Sequence, residues 1–276
     1  MSATKFYGFL LIVGLAAVAA RLVYNSVRQC RRKQLYQLPM GEEWEQILNQ
    51  HVSLYRFLPA PLKTKLHGHI HYFLDTKIIS GCDGMEVDDV VRLTIAANAC
   101  ILILHREDRI FPGFETILVY PSTYVAVRHH RHGESVTESH AAMAGESWHR
   151  GPIVLSWSDV KRGSLNPADG HNVVMHEFAH KLDEETSAVN GMPQLRSHEQ
   201  FKDWVEVLNR EYGEFLKRVD SNRNSVIDEY GSVSPPEFFA VATESFFEKS
   251  TSMRRKLPDL YRQLQDYYQL DPASWR

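Results

Sequence analysis

The stretch from Val173 to Glu185, VVMHEFAHKLDEE, centres on His176-Glu177-Phe178-Ala179-His180. On a helix, residues four apart lie one turn from each other on the same face, so His176 and His180 direct their ring nitrogens at one point. Glu177, next to the first histidine, falls beside that point, where its carboxylate takes a proton from a metal-activated water. Glutamate suits this role better than aspartate because its longer stem reaches the water without displacing it. Such a pentad constrains the fold strongly: the polar face of its helix must look inward, and a third ligand must come from a distant segment. With 14 histidines in 276 residues the spacing alone is moderate evidence, and the third ligand decides.

Downstream, DEYGSVSPPEFFAVATESFFEKS places Glu237 and Glu244 seven residues apart, on one face of a helix that starts with Ser234 as N-cap and Pro235 just inside. Glu237 has a competing role, since Ser234-Pro-Pro-Glu237 is a capping box in which the glutamate bonds back to the Ser234 N–H. Glu244 sits mid-helix among Val241, Ala242, Phe246 and Phe247, where a buried carboxylate needs a partner. A metal ligand at one position and an acceptor behind a ligand at the other accounts for both, but spacing does not assign the roles.

The N-terminus is unlike the rest. Phe6 to Tyr24 is a run of nineteen residues broken by one charge, Arg21. As a helix it spans roughly 28 Å at about 1.5 Å per residue, close to a bilayer core. Arg28, Arg31, Arg32 and Lys33 follow at once, which by the positive-inside rule keeps the remainder of the chain in the cytoplasm. The same cluster opposes the alternative of a cleaved secretory signal ending at AAVAA. Three scattered cysteines, Cys30, Cys82 and Cys100, offer no disulfide framework, which agrees with a reducing compartment. The expected organisation is a transmembrane anchor over 1–26, a basic linker over 27–40 and one domain over 41–276, with metal-binding helices at 167–184 and 235–249. The net charge of −3 gives no field that points to nucleic acid.

Within the domain, apolar residues recur at helical spacing in 42–58 and 62–73, with a break at Pro59-Ala60-Pro61, and Asp88 to Leu104 reads as a largely buried helix. TILVYPSTYVAV and GPIVLSW are short β-rich runs bounded by Gly and Pro, and the intervening RHHRHGESVTESHAAMAGES reads as a polar loop. Asn166 and Pro167 supply a start signal for the pentad helix. Helices over SHEQFKDWVEVLNREYGEFLKRV and DLYRQLQDYYQL complete an α+β domain with a small sheet packed against helices.

His176-Glu177-x-x-His180 followed by Lys181-Leu182-Asp183, then Tyr230, then Pro236-Glu237-x-Phe239-Ala240-Val241-x-x-Glu244, resembles the Mlc titration factor A family of zinc peptidases. Gly145 to Trp157 also fits, and the likeness runs from about Glu42 to Asp271-Pro272. It implies a zincin-like fold related to the protease domain of anthrax lethal factor, with a tyrosine seven residues before its glutamate ligand. Carried over by position, it implies one zinc per chain held by His176, His180 and Glu237. Glu177 becomes the base, Tyr230 the phenol that stabilises an oxyanion, and Glu244 a residue behind the ligands. It also implies peptide hydrolysis of an aminopeptidase-like kind on a peptide or protein substrate. Alternatively, the chain is a zinc-stabilised module that sequesters a transcriptional repressor or another protein.

Two further histidine clusters carry less. His67 and His71 are spaced for one helix face with His69 opposite, and His129, His130 and His132 stand between arginines that repel a metal. GPIVLSW is the expected edge strand beside the metal, where an extended peptide borrows backbone hydrogen bonds.

Overall fold

A computed structural model describes residues 3–106, 110–122, 124–132, 135–143, 145–147, 151–186 and 190–275, with backbone alone for 3–6, 8–11, 124–132, 135–143 and 145–147. The chain forms two compact units, Met1–Pro39 and Met40–Arg276. The first is the helix α1, Ala3–Gln37. It runs on through the residues expected as a linker, where arginine, lysine and glutamine are good helix formers. Among the described residues, no helix is long and apolar enough to cross a membrane. The predicted transmembrane anchor, and the membrane contact that rested on it, is therefore not supported. The described part of α1 carries Arg21 and then the Arg28–Lys33 basic run in one helix; the side chains of 6 and 8–11 from the apolar run lie outside the described residues.

The second unit opens with α2, Glu42–His51, α3, Ser53–Phe57, and α4, Ala60–Thr76. Pro59 and Pro61 set the start of α4, as the sequence predicts. Strand β1, Ile78–Gly81, leads through α5, Asp89–Ile101, to β2, Thr116–Tyr120. Helix α5 is capped by the Asp88 side chain, which accepts from the Val91 N–H, and nearly every residue from Leu93 to Ile101 is buried. Such all-round burial is expected of a helix that other layers enclose on every side.

The predicted strand at 124–127 extends into the stretch predicted as a polar loop: β3, Tyr124–His132, forms an antiparallel hairpin with β4, Ser135–Met143, with Tyr124 opposite Met143. Next come β5, Gly145–Ser147, β6, Ile153–Ser156, and α6, Trp157–Leu165. The main sheet has the order β1-β2-β6-β5; β1, β2 and β6 are parallel, and β5 is antiparallel to β6. GPIVLSW therefore supplies an interior strand, and the short β5 takes the edge it was expected to occupy. The reason is in the residues: Ile153, Val154, Leu155 and Ser156 are all buried, as befits a strand covered on both faces.

Five more helices follow: α7, Val173–Asp183, α8, His198–Asp220, α9, Pro235–Glu248, α10, Ser250–Lys256, and α11, Pro258–Tyr268. Helix α7 starts six residues later than Asn166-Pro167 suggests. Asn166 ends α6, and Asn172 caps α7 by accepting from the Met175 N–H. At the other end Asp183 Oδ2 accepts from the Gly191 N–H at 2.8 Å. Gly191 has φ of 77°, and a Cβ there would meet the Pro235 carbonyl oxygen at 2.6 Å. Only glycine suits this close approach, which seats the turn after α7 against the first residue of α9. Phe178 of α7 packs against Phe73, Phe111 and Phe114 at 4.7–5.8 Å between ring centroids, so one face of α7 is apolar core while the other is free for chemistry.

Candidate metal centre

His176 and His180 lie one turn apart on α7, and Glu237 lies in the first turn of α9. Their ligand atoms all fall within 4.8 Å of one another. Glu237 Oε2 is 3.0 Å from His176 Nε2 and 3.3 Å from His180 Nε2, and the two ring nitrogens are 3.2 Å apart. Ser234 caps the Glu237 N–H with its own hydroxyl at 3.4 Å, while the Glu237 carboxylate faces the histidines. Two nitrogen donors and one oxygen donor aimed at one small volume form a set suited to a divalent ion such as zinc. Burial works against ionisation of Glu237, yet hydrogen bonds from both histidines hold its carboxyl down at about 2.

Glu244 lies on the other side of the His176 ring. His176 Nδ1 donates to Glu244 Oε1 at 2.8 Å, so one carboxylate meets each nitrogen of this imidazole. Burial favours the neutral ring, but the bonds to Glu237 and Glu244 outweigh it and hold the pKa of His176 well above the ordinary value. The second Glu244 oxygen accepts from the Asn172 N–H at 2.5 Å. Such an acceptor fixes ring orientation and tautomer of a histidine that uses its other nitrogen for a metal.

Glu177 is buried, and among the described residues its Oε2 has no hydrogen-bond partner. Burial pushes its carboxyl up to about 7, against the pull of His176 and His180. An orphaned carboxylate oxygen beside three converging donors fits a site built around a further bound group. Tyr230 stands on the short 3₁₀ turn Glu229–Ser232, with its ring centroid 5.9 Å from that of His176 and about half its surface exposed.

The sequence reading missed the buried polar cluster behind α7. Asn172 donates through Nδ2 to Asn98 Oδ1 at 2.9 Å and to Glu248 Oε1 at 3.1 Å, and Asn98 donates to Ser164 Oγ at 2.9 Å. The available signal was a helix-capping residue directly before the apolar VVM run, but Asn166-Pro167 offers a stronger local start. The described histidines of the 67–71 cluster play no comparable part. His67 Nε2 lies 2.9 Å from the Tyr55 hydroxyl, His71 stacks on Trp44, and His69 bonds backbone carbonyls of Lys65 and Arg106. The side chains of His129, His130 and His132 lie outside the described residues.

The cluster carries a pH signature. Burial pushes the Glu248 carboxyl from its ordinary 4.5 up to about 8. Between those values the folded protein keeps a proton that the unfolded chain has released. The associated stability is therefore fully present below about pH 4.5 and is lost as pH rises through 8. At 1.36 kcal/mol per pKa unit, the ionised group costs about 5 kcal/mol above that window. Glu248→Gln keeps the acceptor for Asn172 and removes the ionisation. Urea unfolding from pH 5 to 9 is expected to show a wild-type midpoint that falls more steeply with pH than that of the variant; parallel curves would refute the assignment.

Comparison with known proteins agrees with this geometry. Residues 27–269 match the family described as glucose-regulated metallo-peptidase M90. An uncharacterized Synechocystis protein, slr2042, is 39% identical over 244 residues, covering 88% of this chain and 89% of the relative. Mlc titration factor A of Escherichia coli is 29% identical over 240 residues (84% and 87% of the two chains), and that of Salmonella gallinarum 27% over 242 residues (86% and 90%). The match spans α7, α9 and most of the second unit, and the chain belongs to the glucose-regulated metallo-peptidase M90 family.

Proposed function

We propose that the protein is a zinc-dependent peptidase with one ion per chain, held by His176, His180 and Glu237. The observation that carries this reading is the convergence of these three donors within 4.8 Å beside the buried, unpartnered oxygen of Glu177. A bound zinc ion supplies Lewis acidity toward water and a substrate carbonyl. Glu177 takes the proton of the attacking water and passes it to the leaving amine. Its burial beside both histidines suits a group that must accept and then release a proton. Tyr230 donates its phenol hydrogen to the oxyanion of the tetrahedral intermediate, as its place beside His176 supports. Glu244 orients the His176 ring from behind. An extended peptide pairs along the edge strand β5, which runs beside α7, so recognition is largely through the main chain.

A second reading rests on the relatives named Mlc titration factor A. Here the zinc-stabilised domain binds a protein regulator and turns over little peptide. The pairing of Glu177 with Tyr230 favours the enzyme, since binding alone requires neither. The two are separated by loading the full chain with zinc, measuring metal content, and following cleavage of a mixed peptide library. The expected result is one zinc per chain and peptide products that chelation abolishes. Full occupancy with no products would favour the binding module, and occupancy well under one half would remove the zinc site itself.

A further inference from the structure

His171 and Asp228 lie outside the donor set but are joined to it through Tyr230. His171 precedes the cap of α7, and its Nε2 is 3.3 Å from Asp228 Oδ2. The other oxygen of that carboxylate, Oδ1, accepts from the Tyr230 N–H at 2.9 Å. A single carboxylate thus spans an imidazole on the approach to the ligand helix and the main chain of the tyrosine beside His176. Tyr230 is 53% exposed, so burial contributes little to fixing its ring. Its ring lies beside that of His176, and its backbone is held by the 3₁₀ turn, which Asp228 caps and which the Tyr212 hydroxyl also braces by donating to the Ser232 carbonyl at 3.2 Å.

We infer that His171 is a positioning residue for Tyr230, acting through Asp228; this rests on the reading of Tyr230 as the oxyanion donor. The His171 side chain is 55% exposed, and a pair in that setting adds almost nothing to global stability. What it does is local. It holds the Asp228 carboxylate in one rotamer, and with it the N–H of Tyr230 and the angle at which the phenol leaves the turn. The backbone of His171 is secured separately, its N–H donating to Asp169 Oδ1 at 3.1 Å, so truncating the imidazole leaves the segment in place.

The test uses the full chain loaded with zinc, as wild type, His171→Ala, His171→Gln, Tyr230→Phe and the His171→Ala/Tyr230→Phe double variant. Amide hydrogen exchange is read on residues 228–233, together with peptide turnover and metal content. His171→Ala is expected to speed exchange at Tyr230 and Gly231 by about two- to fivefold and to lower kcat by a similar factor. KM and zinc content stay constant. The kcat loss disappears in the Tyr230→Phe background, because there the phenol it positions is absent, and His171→Gln, which keeps a donor, recovers most of both effects. Unchanged exchange in His171→Ala, or an equal fractional loss of kcat in both backgrounds, would overturn the inference. A wild-type chain with no peptide turnover would instead fail the peptidase reading, and the exchange comparison would still decide whether His171 holds Tyr230.

Discussion

Glu237→Ala is expected to yield a folded protein that no longer retains zinc, whereas Glu244→Ala retains it with affinity lowered about 10–100-fold. The two glutamates share a helix face, but they meet opposite nitrogens of one imidazole. Glu237 Oε2 lies within 3.3 Å of both Nε2 atoms, where an ion would share it. Glu244 Oε1 accepts from Nδ1 of His176, away from His180. Removing Glu237 leaves two histidines, too few for tight binding. Removing Glu244 leaves all three donors and frees only the orientation of one ring. The start of α9 survives either change because Ser234 caps it through its own hydroxyl. Calorimetric zinc titration with circular dichroism on the same samples reads both effects. A metal-free Glu244→Ala beside a normally binding Glu237→Ala would reverse the assignment.

Glu177→Gln is expected to keep zinc and fold and to lose about 10²–10⁴-fold in kcat, the range of a general base. The amide has the shape of the carboxyl group but cannot accept the proton. Nor is the fold weakened, since the wild-type carboxylate is already buried with an unpartnered oxygen among the described residues. Turnover of a saturating peptide by both proteins at matched zinc content decides the matter. Near-wild-type kcat in the variant would remove Glu177 from the chemistry.

The residues that converge on the site were legible where the relevant physics is local. His176 and His180 follow from helix periodicity, and Ser234 with Pro235 marks the start of α9 because capping depends on four consecutive residues. The division of labour between Glu237 and Glu244 was not legible from spacing, since both lie on one face of one helix. Only the position of the His176 ring between them separates the two, and that is set by packing between α7 and α9. The start of α7 was missed because two asparagines competed for the cap. The one that caps it, Asn172, is held by Asn98 and Glu248 from elements far away in sequence. The part of the β3–β4 hairpin from Arg128 on escaped because its histidines and arginines mask strand alternation, although the pairing itself is between neighbouring segments. GPIVLSW reads as a strand covered on both faces, because it is apolar at successive positions, but its interior place follows only from its pairing with β2 and β5. The helix at the N-terminus was visible, but its assignment as an anchor was not supported.

Asn172 joins the front of α7 to α5 and α9, and through Glu244 to the ring of His176. The protein thus assembles its ligand helices with its own hydrogen bonds, and the cost of ordering them falls on folding, not on metal capture. In small zinc domains the two processes are one, and a chelator unfolds the chain. Under the proposed zinc reading the two are expected to be separable here, with chelation leaving the helical circular dichroism intact. The ion then adds to stability only by mass action, as any ligand of a finished native state does.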